Sequence, residues 1–185
     1  MKFKAAVLVE SKHPLVIDEL EVPTINVGQV LVKLNSSGIC GAQINEIDSV
    51  KGKDNFLPHL LGHEGHGEVL ECGAGVKNVK PDDKVVLHWR KGKGIEADTP
   101  KYSSKNLGMI NAGWVTTFNE YAVVSENRLT VIPPHIQKEH AALIGCAVTT
   151  ALGTLTNDAK TKVGESIAIF GCGGDRDRTK RPNRD

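Results

Sequence analysis

Over the first 130 residues the apolar positions fall in short runs cut by Gly and Pro, and only afterwards do they spread into a longer pattern. Residues 3–8, 15–20 and 29–35 are rich in Val, Ile and Leu and predict strands. "NSSGICG" predicts a turn, and residues 40–48 a short helix starting beside Cys40. "GHEGHGEVLE" is expected to pass from a glycine-rich loop into a strand near Val69, and residues 84–88 predict another strand after the Pro81-Asp82-Asp83 bend. Residues 89–113 show weak periodicity and predict a loop or lobe. "FNEYAVVSENRLTVIP" predicts two short strands. Past Pro133-Pro134, "HIQKEHAALIGCAVTTALGTL" predicts one helix or two abutting ones, and "VGESIAIFG" a turn and a strand. The pattern therefore divides the chain into a β-rich domain over 1–133, the start of an α/β unit over 134–174, and a polar tail over 175–185, expected to be disordered.

Composition agrees with a turn-rich globular chain. Of 185 residues, 39% are hydrophobic, only 4% are aromatic, and 19 are Gly, which disfavours a helical bundle. The net charge of +1 comes from the tail: without its four Arg, one Lys and three Asp, 18 basic residues face 19 acidic ones. Nothing in that balance points to nucleic acid or an anionic membrane. No run of about 20 apolar residues occurs. Cys40, Cys72, Cys146 and Cys172 are sparse and form no CxxC pair, so a reducing cytoplasm is expected rather than a disulfide framework.

Cys40, His63, Glu64 and Cys146 are the residues with metal chemistry. Thiolate, imidazole and carboxylate are zinc's preferred donors. Their long separations do not suit a zinc finger, whose ligands come in close pairs. They suit a catalytic site assembled from distant elements, with three protein ligands and one open position. Taken singly, a Cys is most often a buried small hydrophobe and a His an ordinary polar residue.

The set "SGICGAQ", "LLGHEGHGEVLECGAGV", "ALIGCAVTTALG" and "VGESIAIFGCGG", in this order, resembles the medium-chain zinc-dependent alcohol dehydrogenases over residues 1–174. The resemblance implies a mostly β chaperonin-10-like (GroES-like) domain followed by the truncated start of an α/β Rossmann domain. It implies one zinc held by Cys40, His63 and Cys146, with Glu64 beside the metal as a transient ligand. It also implies NAD or NADP, with Gly171, Gly173 and Gly174 starting the pyrophosphate turn. The implied reaction is reversible hydride transfer between a small-molecule alcohol and the nicotinamide, with zinc stabilising the alkoxide.

Several positions depart from the family. Ala42 stands where a Ser or Thr usually relays the alcohol proton, and Asn45, His66 or a water are the available substitutes. Gln43 stands where an Asp commonly supports a ligand, which predicts a weakened metal site. Residues 89–113 hold no cysteine, so no structural zinc is expected; their basic residues, Arg90 and Lys91 among them, read as a solvated surface or as a contact for an anionic substrate group. Asp175 and Arg176 interrupt the glycine fingerprint, and "DRDRTKRPNRD" has no apolar face. A truncated or frame-shifted dehydrogenase without turnover is the expectation, with Leu143, Ile144 and Val148 left as a patch favouring self-association. The competing readings are a zinc-free quinone-reductase-like oxidoreductase and a non-enzymatic metal-binding or co-chaperonin-like module.

Overall fold

The computed structural model describes residues 1–170. Among the described residues, ten strands make a closed barrel and a second sheet. The barrel runs β1 (Lys2–Leu8), β2 (Val16–Glu21), β7 (Lys101–Ser104), β8 (Gly108–Asn111) and β4 (His59–Leu60). The sheet runs β10 (Leu129–Val131), β6 (Lys84–His88), β5 (Glu64–Cys72), β3 (Gln29–Ser37) and β9 (Tyr121–Ser125). Pairing is antiparallel except between β4 and β8.

Two cores share one wall. Successive side chains of a strand point to opposite faces. On β3, Val30 and Val32 therefore enter one core, with Val69, Val85, Leu87 and Val124. Leu31 enters the other, with Phe3, Val7, Leu20, Leu60, Tyr102 and Ile110. β9 divides the same way, Ala122 and Val124 to the first core and Val123 to the second. Burial on both faces explains why "VLV" shows no polar alternation. Tyr102 is fully buried, and its hydroxyl accepts the Val123 N–H at 2.8 Å.

The predicted strands over 3–8, 15–20, 29–35, 84–88 and 121–131 form with small boundary shifts, as does the helix beside Cys40, here α1 (Gly41–Ile47). The helical stretch after Pro134 breaks into α2 (Lys138–Ala142), a single 3₁₀ turn (Leu143–Gly145) and α3 (Ala147–Gly153). α2 packs against β3, β5 and β6, and Ser36 Oγ donates to the Lys138 carbonyl at 2.6 Å.

Three expectations are corrected. β5 starts at Glu64, not near Val69. Its glycines serve close approach rather than a loop: a Cβ on Gly65 would lie 3.0 Å from Thr117 Cγ2, and one on Gly67 2.6 Å from Val32 Cγ1. Within 89–113, β7 and β8 form a hairpin that completes the barrel, burying Tyr102 and Ile110. Strands of four residues with one buried apolar side chain each leave little periodic signal. Residues 165–170 pair with no strand among the described residues, and Ile167, Ile169 and Phe170 are exposed. A strand is made by a neighbour's hydrogen bonds, so an apolar run alone does not create one.

Candidate metal centre

Three separate elements deliver the metal-ligating side chains. Cys40 is the N-cap of α1, with extended backbone (φ −110°, ψ 154°). His63 lies between β4 and β5, just after Gly62, whose φ of +95° favours glycine. A Cβ on Gly62 would also sit 2.8 Å from the Thr117 backbone N. Cys146 is buried at the junction between the 3₁₀ turn and α3. One donor atom from each of Cys40, His63 and Cys146 lies within 4.8 Å of the others. Bonds of about 2.3 Å to sulfur and 2.0 Å to nitrogen put tetrahedral donors roughly 3.5–3.8 Å apart, so a small inward movement closes the set on zinc.

Glu64 holds this arrangement together. Its Oε2 accepts the backbone N–H of Cys146 at 2.9 Å and of Ala147 at 3.1 Å, pinning the 146 junction to β5. Two glycines make room for it. A Cβ on Gly38 would fall 2.6 Å from Glu64 Cδ, and one on Gly145 would lie 3.0 Å from Glu64 Cβ and 2.5 Å from the Leu87 carbonyl oxygen. Burial raises the Glu64 carboxyl pKa, and the two backbone donors oppose that rise.

The donor chemistry fits zinc. His63 Nε2 is buried with no hydrogen-bond partner, while Nδ1 faces the Gln43 side-chain nitrogen, so Nε2 is the available ligand atom. Burial lowers the His63 pKa, which favours the neutral imidazole that metals require. Cys146 is pushed up to about 11 by burial, then by the charges of Cys40 and Glu64. Crowded anionic groups of this kind are what a divalent cation stabilises.

Beside His63 and Gln43 opens a cleft of about 570 Å³, walled by Leu61, Val115, Trp89 and Trp114. Buried Arg128 fixes both tryptophans. Its guanidinium donates to the Trp89 carbonyl, lies 5.3 Å over the Trp114 ring, and pairs with Glu96 at 2.5 Å. Sequence reasoning overlooked these walls. The available signal was that the chain's two tryptophans bracket the stretch read as a lobe.

The other candidates are placed as follows. Ala42 and Asn45 are exposed on α1, and His66 is buried on β5 with Nδ1 unpartnered. Lys91 pairs with Glu96, and Arg90 lies 5.8 Å over Trp89, so neither basic side chain is free of a protein partner. Glu126 anchors the lobe from beneath, accepting backbone N–H groups of Lys77 (2.5 Å), Asn78 (2.7 Å) and Ile95 (2.8 Å). Leu143 and Val148 are each 40% exposed. Gly171, Gly173, Gly174 and the tail lie outside the described residues.

Residues 26–134 match the alcohol dehydrogenase GroES-like domain. The chain belongs to that family. An S-(hydroxymethyl)glutathione dehydrogenase of Synechocystis is 35% identical over 94% of the chain and 53% of its own length. One from Escherichia coli is 34% identical with the same coverage. The chain thus spans about half the length of the curated relatives it matches. A solved alcohol dehydrogenase zinc-binding domain protein from Burkholderia ambifaria superposes with a TM-score of 0.82 at 24% identity, over 94% of this chain and 53% of that one. That likeness establishes the fold: a mostly β GroES-like domain of the alcohol dehydrogenase type.

Proposed function

We propose that the chain is the catalytic-metal portion of a zinc-dependent, NAD(P)-linked alcohol dehydrogenase acting on a small-molecule alcohol or carbonyl compound in the cytoplasm. The convergence of Cys40, His63 and Cys146 carries this reading. Two thiols and an imidazole leave one tetrahedral position open, the pattern of a catalytic rather than a structural zinc. Bound there, zinc would act as a Lewis acid on an alcohol or carbonyl oxygen. The chain's own residues do the rest. Cys40 and Cys146 supply thiolates, and His63 supplies Nε2. Glu64 fixes Cys146 through its backbone. Trp89, Trp114, Leu61 and Val115 form apolar walls suited to a substrate's carbon frame. Free cysteines at Cys40, Cys72 and Cys146 support the cytoplasmic assignment. The relatives are named dehydrogenases, which supports the oxidoreductase class; the NAD(P) link rests on the family resemblance. The zinc-free alternative gives no reason for these three side chains to meet.

Metal analysis of the purified chain tests the reading. One zinc per chain, lost on Cys40→Ser, is expected. A metal content unchanged by Cys40→Ser overturns it.

A further inference from the structure

We propose that Gln43 holds His63 in the proton arrangement that opposes metal, so that this chain's zinc is bound weakly and exchanges readily. The proposal rests on the zinc reading above and deepens it.

Gln43 is 3% exposed and clamped between two of the three ligand residues. Its Oε1 accepts the Cys40 backbone N–H at 3.0 Å, and its Nε2 lies against His63 Nδ1. A backbone N–H is always a donor. With the amide so placed, Nε2 of Gln43 donates, Nδ1 of His63 accepts, and the ring proton resides on Nε2 of His63. That nitrogen is the buried, unpartnered one that would face the metal.

Binding a cation at Nε2 moves the ring proton to Nδ1. Nδ1 then becomes a donor and meets the donor end of the amide. Turning the amide over does not help. Its oxygen would then accept from Nδ1, but its NH₂ would face the Cys40 N–H. In the metal-bound state the two ends of the side chain confront two donors, and an amide carries an acceptor at only one end. A carboxylate carries one at each. Gln43→Glu preserves length and shape and places an acceptor at each end; it also adds a charge, so the change in affinity is read together with the ring tautomer. Partners of metal-binding histidines typically change affinity by 10–100-fold. Gln43 is therefore a positioning residue, acting through His63 and the Cys40 backbone.

Two measurements on the full chain decide the matter. Zinc affinity is read by competition with a chromophoric chelator for wild type and Gln43→Glu. The variant should bind zinc 10–100-fold more tightly, a gain that misfolding cannot produce. Equal or weaker binding by a folded variant overturns the proposal. Nitrogen-15 NMR of the metal-free wild type should show His63 as the Nε2–H tautomer, and an Nδ1–H tautomer overturns the proposal even if the variant does not fold. If neither protein takes up zinc, the zinc reading itself fails, while the tautomer measurement still decides the role of Gln43.

Discussion

Replacing Glu64 separates two ways a carboxylate can serve this centre. In the structure it acts as a clamp, with one oxygen accepting two backbone N–H groups at the Cys146 junction. Net, a hydrogen bond to a charged acceptor is worth about 1.5–3 kcal/mol. Glu64→Ala removes two of them. Water can rehydrate part of what is exposed, so the junction should lose about 3 kcal/mol of its hold. At 1.4 kcal/mol per decade, zinc affinity should fall roughly 100-fold. Glu64→Gln keeps an oxygen able to accept both bonds and halves their strength by removing the charge, so its loss should be about tenfold. A purely electrostatic role predicts a different result, because both variants lose the same charge and should weaken zinc equally. Chelator competition on the two variants, with circular dichroism to confirm the fold, measures the order. Equal losses, or a Glu64→Ala affinity within threefold of wild type, would refute the clamp.

Glu126 should be the pin whose loss is felt most by the β fold. Glu126→Ala leaves three backbone donors without their acceptor, which should cost about 3 kcal/mol and lower the melting temperature by roughly 6–12 °C. Burial pushes the Glu126 carboxyl up, but the three backbone donors and Lys77 outweigh it and hold it below the usual carboxylate range. Its contribution is then complete above the unfolded-state value near 4.5 and lost as the pH falls through the lower folded value. Glu126→Ala should accordingly flatten the acid limb of the pH–stability curve, as measured by urea unfolding. Arg128→Lys removes the planar fork that joins Trp89, Trp114 and Glu96. Tryptophan emission should shift to the red as the cleft walls loosen, and an unchanged spectrum would argue against that role.

The sequence made the sheet strands legible because their apolar runs are dense and bounded by turns. It missed β7 and β8, where Tyr102 and Ile110 are the single buried apolar residues of four-residue strands. It misread the start of β5 because Gly65 and Gly67 look like a loop until the pressing neighbours, Thr117 and Val32, are known. Cys40, His63 and Cys146 could be picked out by donor type, but their meeting depends on three backbone junctions that periodicity does not encode. The clamp by Glu64 and the two-ended grip of Gln43 were hidden for the same reason. Both Glu64 bonds and one end of the Gln43 grip go to backbone N–H groups, which nearly every residue carries.

β3 lends alternate side chains to both cores, and so ties the fate of the barrel to that of the five-stranded sheet. Neither half can melt and leave the other standing, since losing β3 would strip a wall from each. Heating should produce a single calorimetric peak, and the slowest-exchanging amides should lie along Val30–Val32.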